Sequence, residues 1–128
     1  MDAVYLSVTE DLKGKSGIIN LDVEDVWFIH FFSRKRIIEV HTETQILYMT
    51  GTLAYWQNAL NTTYGFPFET VDRNIIVNVS RITCVDSVRS VAYFTSEITE
   101  KSKYCTFSQG NRKKMEHLKK LNPSIVTI

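Results

Sequence analysis

Residues Phe68–Ile82 read FETVDRNIIVNVSRI, and the reading of this stretch decides the fold. Ile75-Ile76-Val77 is a short apolar, β-branched run of the kind that forms a buried strand. Asp72-Arg73-Asn74 precedes it and Asn78 follows it. A buried strand has no need of so dense a polar lead-in. Those groups must face solvent, the protein's own backbone, or a ligand. As a polar residue inside an apolar strand, Asn78 is expected to satisfy backbone groups of a neighbouring turn. Asp72 and Arg73 can pair with each other or cap a turn, or Arg73 and Asn74 can face a partner.

Working outward, the chain is mostly short β segments separated by turn signals. Strands are expected at Ala3–Val8, Gly17–Leu21, Val26–Phe32, Arg36–Thr42, Gln45–Met49, Val88–Phe94 and Tyr104–Phe107. Gly14 and Gly17 punctuate the turn before the second of these. In RIIEVHT, residues 36–42, Ile38 and Val40 take one side while Ile37, Glu39 and His41 take the other. Thr42-Glu43-Thr44 reads as a hairpin loop, and Ser33-Arg34-Lys35 as a polar loop at a sheet end. The period changes in TGTLAYWQNALN, residues 50–61. Leu53, Trp56 and Leu60 fall on one helical face, with Ala59 beside them. Thr50 or Thr52 can cap that helix, and Trp56 is its core anchor. Ser108 reads as the N-cap of a second helix, with Met115, Leu118 and Leu121 recurring among basic residues until Pro123 stops it.

The chain's 128 residues suffice for one domain with a real core, and 44 % apolar with 23 % charged residues is an ordinary globular composition. No apolar run approaches the roughly 18 residues a membrane span needs. The N-terminus lacks the basic start and apolar block of a secretory signal, so a cytoplasmic protein is expected. Cys84 and Cys105 read as reduced, partly buried thiols, and Asn78-Val79-Ser80 as a chance glycosylation match. No metal-ligand spacing, phosphate-cradling glycine loop or nucleophile signature occurs, and His30, His41 and His117 fall on separate elements. Asp22, Glu24 and Asp25 fit a solvated turn. No catalytic residue, cofactor or metal is therefore assigned, and the chain does not read as an enzyme. Net charge is +1, which argues against non-specific coating of nucleic acid but leaves room for local basic patches. Such patches exist at Arg34-Lys35-Arg36, Arg112-Lys113-Lys114 and Lys119-Lys120.

Four pieces, in this order, resemble the LytTR family of bacterial DNA-binding domains: INLDVEDVWFIH (19–30), TGTLAYWQNAL (50–60), FETVDRNIIVNVSRI (68–82) and CTFSQGNRKKMEHL (105–118). The resemblance spans about Gly17 to Leu121. Its most specific part is the third, where Ile75-Ile76-Val77-Asn78 and Ile82 match the family's F-x-R-x-H-R-S-[YF]-[IV]-V-N-x-x-x-I at their offsets. The resemblance implies a mainly β fold of short antiparallel strands in small packed sheets, with one mid-chain and one C-terminal helix. It implies a sequence-specific transcription regulator that inserts loops, not a helix, into successive major grooves of duplex DNA.

Three contact regions follow from the resemblance. The first is Arg34, Lys35 and Arg36, with Arg36 at the base-contacting position. The second is Arg73 and Asn74. The third is the start of the last helix, at Ser108, Gln109, Asn111, Arg112 and Lys113. The chemistry fits, because Arg can bridge guanine O6 and N7 and Asn can bridge adenine N6 and N7. Lysines such as Lys35, Lys113 and Lys114 would hold phosphates, and a helix N-terminus suits a phosphate as well. The sequence departs from the family at Thr70 and Asp72, where Arg and His are usual, and at Gly110, where an Arg is frequent. Only about 16 residues precede the match, so a stand-alone domain without a receiver is implied, controlled by its own expression level or by a partner protein. Binding as two copies on repeated half-sites is expected. The alternative is a protein-interaction module of the same fold that regulates a partner transcription factor without touching DNA.

Overall fold

A computed structural model describes residues 3–63, 65–108 and 112–128, apart from the side chain of Arg112. Eleven strands and two helices run in the order β1 (Tyr5–Val8), β2 (Ile19–Asp22), β3 (Phe28–Phe32), β4 (Ile37–His41), β5 (Ile46–Met49), α1 (Leu53–Asn61), β6 (Phe68–Asp72), β7 (Ile75–Asn78), β8 (Cys84–Asp86), β9 (Val91–Tyr93), β10 (Tyr104–Thr106), α2 (Arg112–Leu121) and β11 (Val126–Thr127). The fold is mainly β, as the sequence implies.

The central sheet has the order β5-β4-β3-β7-β6, all antiparallel. A second sheet has the order β10-β9-β8-β11, and β1 pairs with β2 as a separate hairpin. The central sheet is covered on both sides, which is why Ile75-Ile76-Val77 can be apolar throughout. Ile75 and Val77 face the second sheet and α2, packing with Val85, Ala92, Phe107 and Leu118. Trp27 and Phe94 stack there with ring centroids 5.0 Å apart. Ile76 faces the other way, where Ile29, Ile38 and Val40 pack against Leu6, Val8 and Leu60. The alternation expected for β4 therefore holds, with Ile38 and Val40 on that side.

Thr52 caps α1, its hydroxyl accepting the Tyr55 N–H at 3.1 Å. Trp56 packs beside Leu60, and its indole N–H donates to the Thr50 carbonyl at 2.9 Å. Gly51 (φ +124°) makes room, since a Cβ there would lie 2.7 Å from the indole nitrogen. Leu118 of α2 is fully buried and Met115 packs beside it, while Leu121 is exposed.

The strand expected from Val88 begins only at Val91. Val88 is 91 % exposed in the turn of the β8–β9 hairpin, where Asp86 accepts the N–H groups of Val88 and Arg89 and frees those residues from strand pairing. The sequence reading also misses β6, β8 and β11. Cys84 and Cys105 are free, buried thiols. They sit beside Tyr93 and Ala92, adjacent residues of β9 that face opposite ways, and belong to different clusters. A disulfide between them is ruled out by that placement.

Candidate nucleic-acid interface

The polar lead-in is a hairpin turn. Asp72 of β6 pairs with Ile75 of β7, leaving Arg73 and Asn74 as the two turn residues. The Asp72 carboxylate accepts the Arg73 backbone N–H, and its other oxygen receives the Thr106 hydroxyl at 3.4 Å. The turn-capping role thus belongs to Asp72. The Arg73 side chain is exposed and has no partner among the described residues. Asn78 is fully buried and does the backbone work expected of it, donating to the Val26 carbonyl at 2.9 Å and accepting from Ser80 at 2.7 Å. Full burial also disposes of Asn78 as a glycosylation acceptor. Arg81 adds a second tie across the same gap, with its Nε on the Glu24 carbonyl at 2.7 Å.

The first contact region is the loop from Ser33 to Arg36, which joins β3 to β4 and is exposed throughout. Arg36 has φ +49°. A left-handed residue there lets a short loop rejoin its strand, a conformation that costs a non-glycine residue about 1–2 kcal/mol.

The β3–β7 pairing brings the first two regions together. Ile29 faces Ile76 and His30 faces Ile75 in antiparallel register, and the Phe31 N–H donates to the Asn74 carbonyl at 2.9 Å. The end of β3 therefore lies beside the start of β7, so the Arg34–Arg36 loop and the Arg73–Asn74 turn share one end of the sheet. The two hairpins are centred two strand spacings apart, about 10 Å.

A bulge attaches the third region. Pairing between β6 and β7 shifts between Thr70 and Asp72, which leaves the intervening Val71 carbonyl outside the ladder. The Ser108 N–H takes it at 3.0 Å. The lead-in to α2 is thereby fixed next to the Arg73 turn. Gln109, Gly110 and Asn111 lie outside the described residues, and with them the proposed cap and phosphate seat of Ser108. Lys113 is exposed. Lys114 is half-buried with its ammonium 3.7 Å from Glu69, whose other oxygen meets His117 at 3.0 Å, so Lys114 serves the α2–β6 contact.

The histidines are less scattered than the sequence suggests. Cross-strand pairing of His30 with Glu39 puts the Glu39 carboxylate 2.9 Å from His41 and 3.9 Å from His30. His41 stacks on Phe28 at 4.2 Å. Burial holds the His41 pKa below its ordinary value, against the opposing hydrogen bond from Glu39. Lys103 reaches the Thr42 carbonyl at 2.7 Å. Among the described residues no group of three or more His, Cys, Asp or Glu side chains is arranged to hold a metal ion. Among the described residues no helix is long and apolar enough to cross a membrane.

Two neighbouring turns at one end of the central sheet carry exposed cations. A sequence model of the LytTr DNA-binding domain matches residues 16–121; the chain belongs to the LytTR family of DNA-binding domains. Its fold is similar to that of the LytTr DNA-binding domain of a protein described as a methyl-accepting/DNA response regulator from Bacillus cereus, with a TM-score of 0.64, 16 % identity, and coverage of 89 % of this chain and 94 % of that one. No curated protein matches the chain.

Proposed function

We propose that the chain is a sequence-specific regulator that presents one end of its central sheet to double-stranded DNA. Membership of a DNA-binding family supports the general class. The observation that carries the finer reading is the β3–β7 register, which brings the turns bearing Arg36 and Arg73 to one end of the sheet, both side chains exposed and without a partner among the described residues. Arg36 reads a guanine edge in the major groove, and Arg73 with Asn74 addresses the neighbouring bases. Arg34, Lys35 and Lys113 hold phosphates. The Asp72 carboxylate is held against its own turn by the Arg73 N–H and the Thr106 hydroxyl.

Two turns about 10 Å apart cover a single groove width of about 12 Å. Reaching the next major groove, about 34 Å along the axis, falls to a second copy. Two copies on direct repeats one helical turn apart would meet the same face of the duplex.

The test is fluorescence anisotropy with duplexes enriched from a random library, titrated over salt against random-sequence competitor. Enrichment of one site, binding that survives competitor, and a slope of about −3 per bound copy in log affinity against log salt support the reading, the slope matching three phosphate-bound cations in each copy. Failure to enrich any site refutes it. One observation favours a second reading, a protein-interaction module. Glu69 already engages Lys114 and His117, which removes two groups from the basic face of α2. That reading requires Arg36→Ala and Arg73→Ala to leave partner binding intact.

A further inference from the structure

A groove of about 630 Å³ lies between the β1–β2 hairpin, the end of β5 and α1. That volume is in the range of small-molecule sites. Its walls are apolar, with Leu6, Val8, Met49, Trp56 and Leu60 among them. Its rim is apolar too: Tyr5 is 57 %, Leu12 47 % and Ile18 76 % exposed. Apolar residues contiguous with an apolar groove mark a binding surface.

The polar groups of the lining are largely consumed internally. The Thr9 hydroxyl donates to the Asp11 carbonyl, the Thr63 hydroxyl to the Ala59 carbonyl, and the Trp56 indole to the Thr50 carbonyl. Lys13 is the one charged residue among the described lining, and it has no ion pair among the described residues. The nearest acid in sequence, Asp11, is bound to the Lys15 and Ser16 N–H groups and the Ser16 hydroxyl. The carboxylate therefore closes its own loop instead of neutralising Lys13.

We infer that this groove binds a free amphipathic anion, an acyl chain ending in a single carboxylate. The chain occupies the apolar walls and the carboxylate meets Lys13. A second copy of the protein is a poorer occupant, because the described lining offers no acid to answer its Lys13. The groove also adjoins the DNA-facing end: Ile37 lines it and directly follows Arg36. An occupant would press on Ile37, the immediate neighbour of left-handed Arg36. This coupling rests on the DNA reading; the binding site itself does not.

Decanoate, kept below its micellisation concentration, is the probe, with decanol as the neutral control. Binding is read by calorimetry and by the change in tryptophan fluorescence. Saturable decanoate binding, weakened about three- to fivefold in Lys13→Glu and lost in the groove-filling variant Ala59→Trp, supports the inference. Lys13→Glu lies on the surface and keeps the test open if Ala59→Trp fails to fold. Decanol binding as tightly as decanoate overturns the anionic assignment. Binding only to micelles or vesicles, or no saturable binding, overturns the site. So does a wild-type dimer that Ala59→Trp converts to monomer, since a second copy would then fill the groove. A decanoate-induced change in operator affinity, absent in Ala59→Trp, supports the coupling. Because the first readout involves no DNA, failure of the groove leaves the DNA reading standing.

Discussion

Replacing Arg36 separates what its backbone does from what its side chain does. Its φ of +49° costs a non-glycine residue about 1–2 kcal/mol. Glycine removes that cost but adds about 0.5–1 kcal/mol of unfolded-state freedom. The side chain is exposed and has no partner among the described residues, so its removal contributes little. Arg36→Gly is thus expected to change stability by about 0 to +1.5 kcal/mol in favour of the fold, or up to about 5 °C in Tm. Arg36→Ala keeps the left-handed strain and stays within about 0.5 kcal/mol of the parent. Both lose the same guanidinium, so both should weaken binding to the selected operator by about 1–3 kcal/mol, or about 5- to 150-fold. Urea denaturation and anisotropy on the three proteins test this. Parental affinity in either variant would refute the assignment of Arg36 as a base reader. Destabilisation of Arg36→Gly by more than about 1 kcal/mol would refute the account of its backbone.

Other outcomes follow from the same geometry. Arg73→Ala should leave stability within about 0.5 kcal/mol, cost about 1–3 kcal/mol of affinity and relax one base position in a selected library; unchanged selectivity would exclude it as a reader. Asn78→Ala removes one buried and one partly buried hydrogen bond and strands the Val26 carbonyl, so urea denaturation should show a loss of about 2–3 kcal/mol. Because burial depresses the His41 pKa, the unfolded chain takes up its proton first. The contribution of neutral His41 is therefore fully present above about pH 6.5 and is lost as pH falls toward the folded value. Urea midpoints should decline over that range in the parent and decline less in His41→Gln; equal declines would contradict the assignment. Burial pushes the thiol pKa of both Cys84 and Cys105 upward, so neither should be alkylated until the protein unfolds, and rapid labelling of either in the native state would disprove its burial.

Local pattern carried much of this fold. The alternation of β4 and the Leu53-Trp56-Leu60 stripe of α1 depend on neighbours only a few residues away, and both are found where the sequence places them. The Thr52 cap is equally local. Strands as short as β8 and β11 carry too few residues for a periodic signal, and Val88 looks like a strand residue until Asp86 is seen to take its N–H. The buried run Ile75-Ile76-Val77 could be recognised as core, but not which residue served which face. That depends on both sides of the sheet being covered.

By itself, then, the sequence determined the longer elements, the family and the positions of the basic clusters, because period, caps and motif spacing are short-range properties of the chain. Tertiary structure alone decided that Arg36 and Arg73 share one sheet end, since β3 and β7 are distant in sequence and meet only through their register. It alone decided that a bulge frees the Val71 carbonyl for Ser108 and that Lys114 answers Glu69. It alone gathered His30 and His41 around Glu39 and opened the groove beside Lys13. Each of these is a long-range juxtaposition, fixed by which surfaces must be buried together and invisible to any window of neighbouring residues.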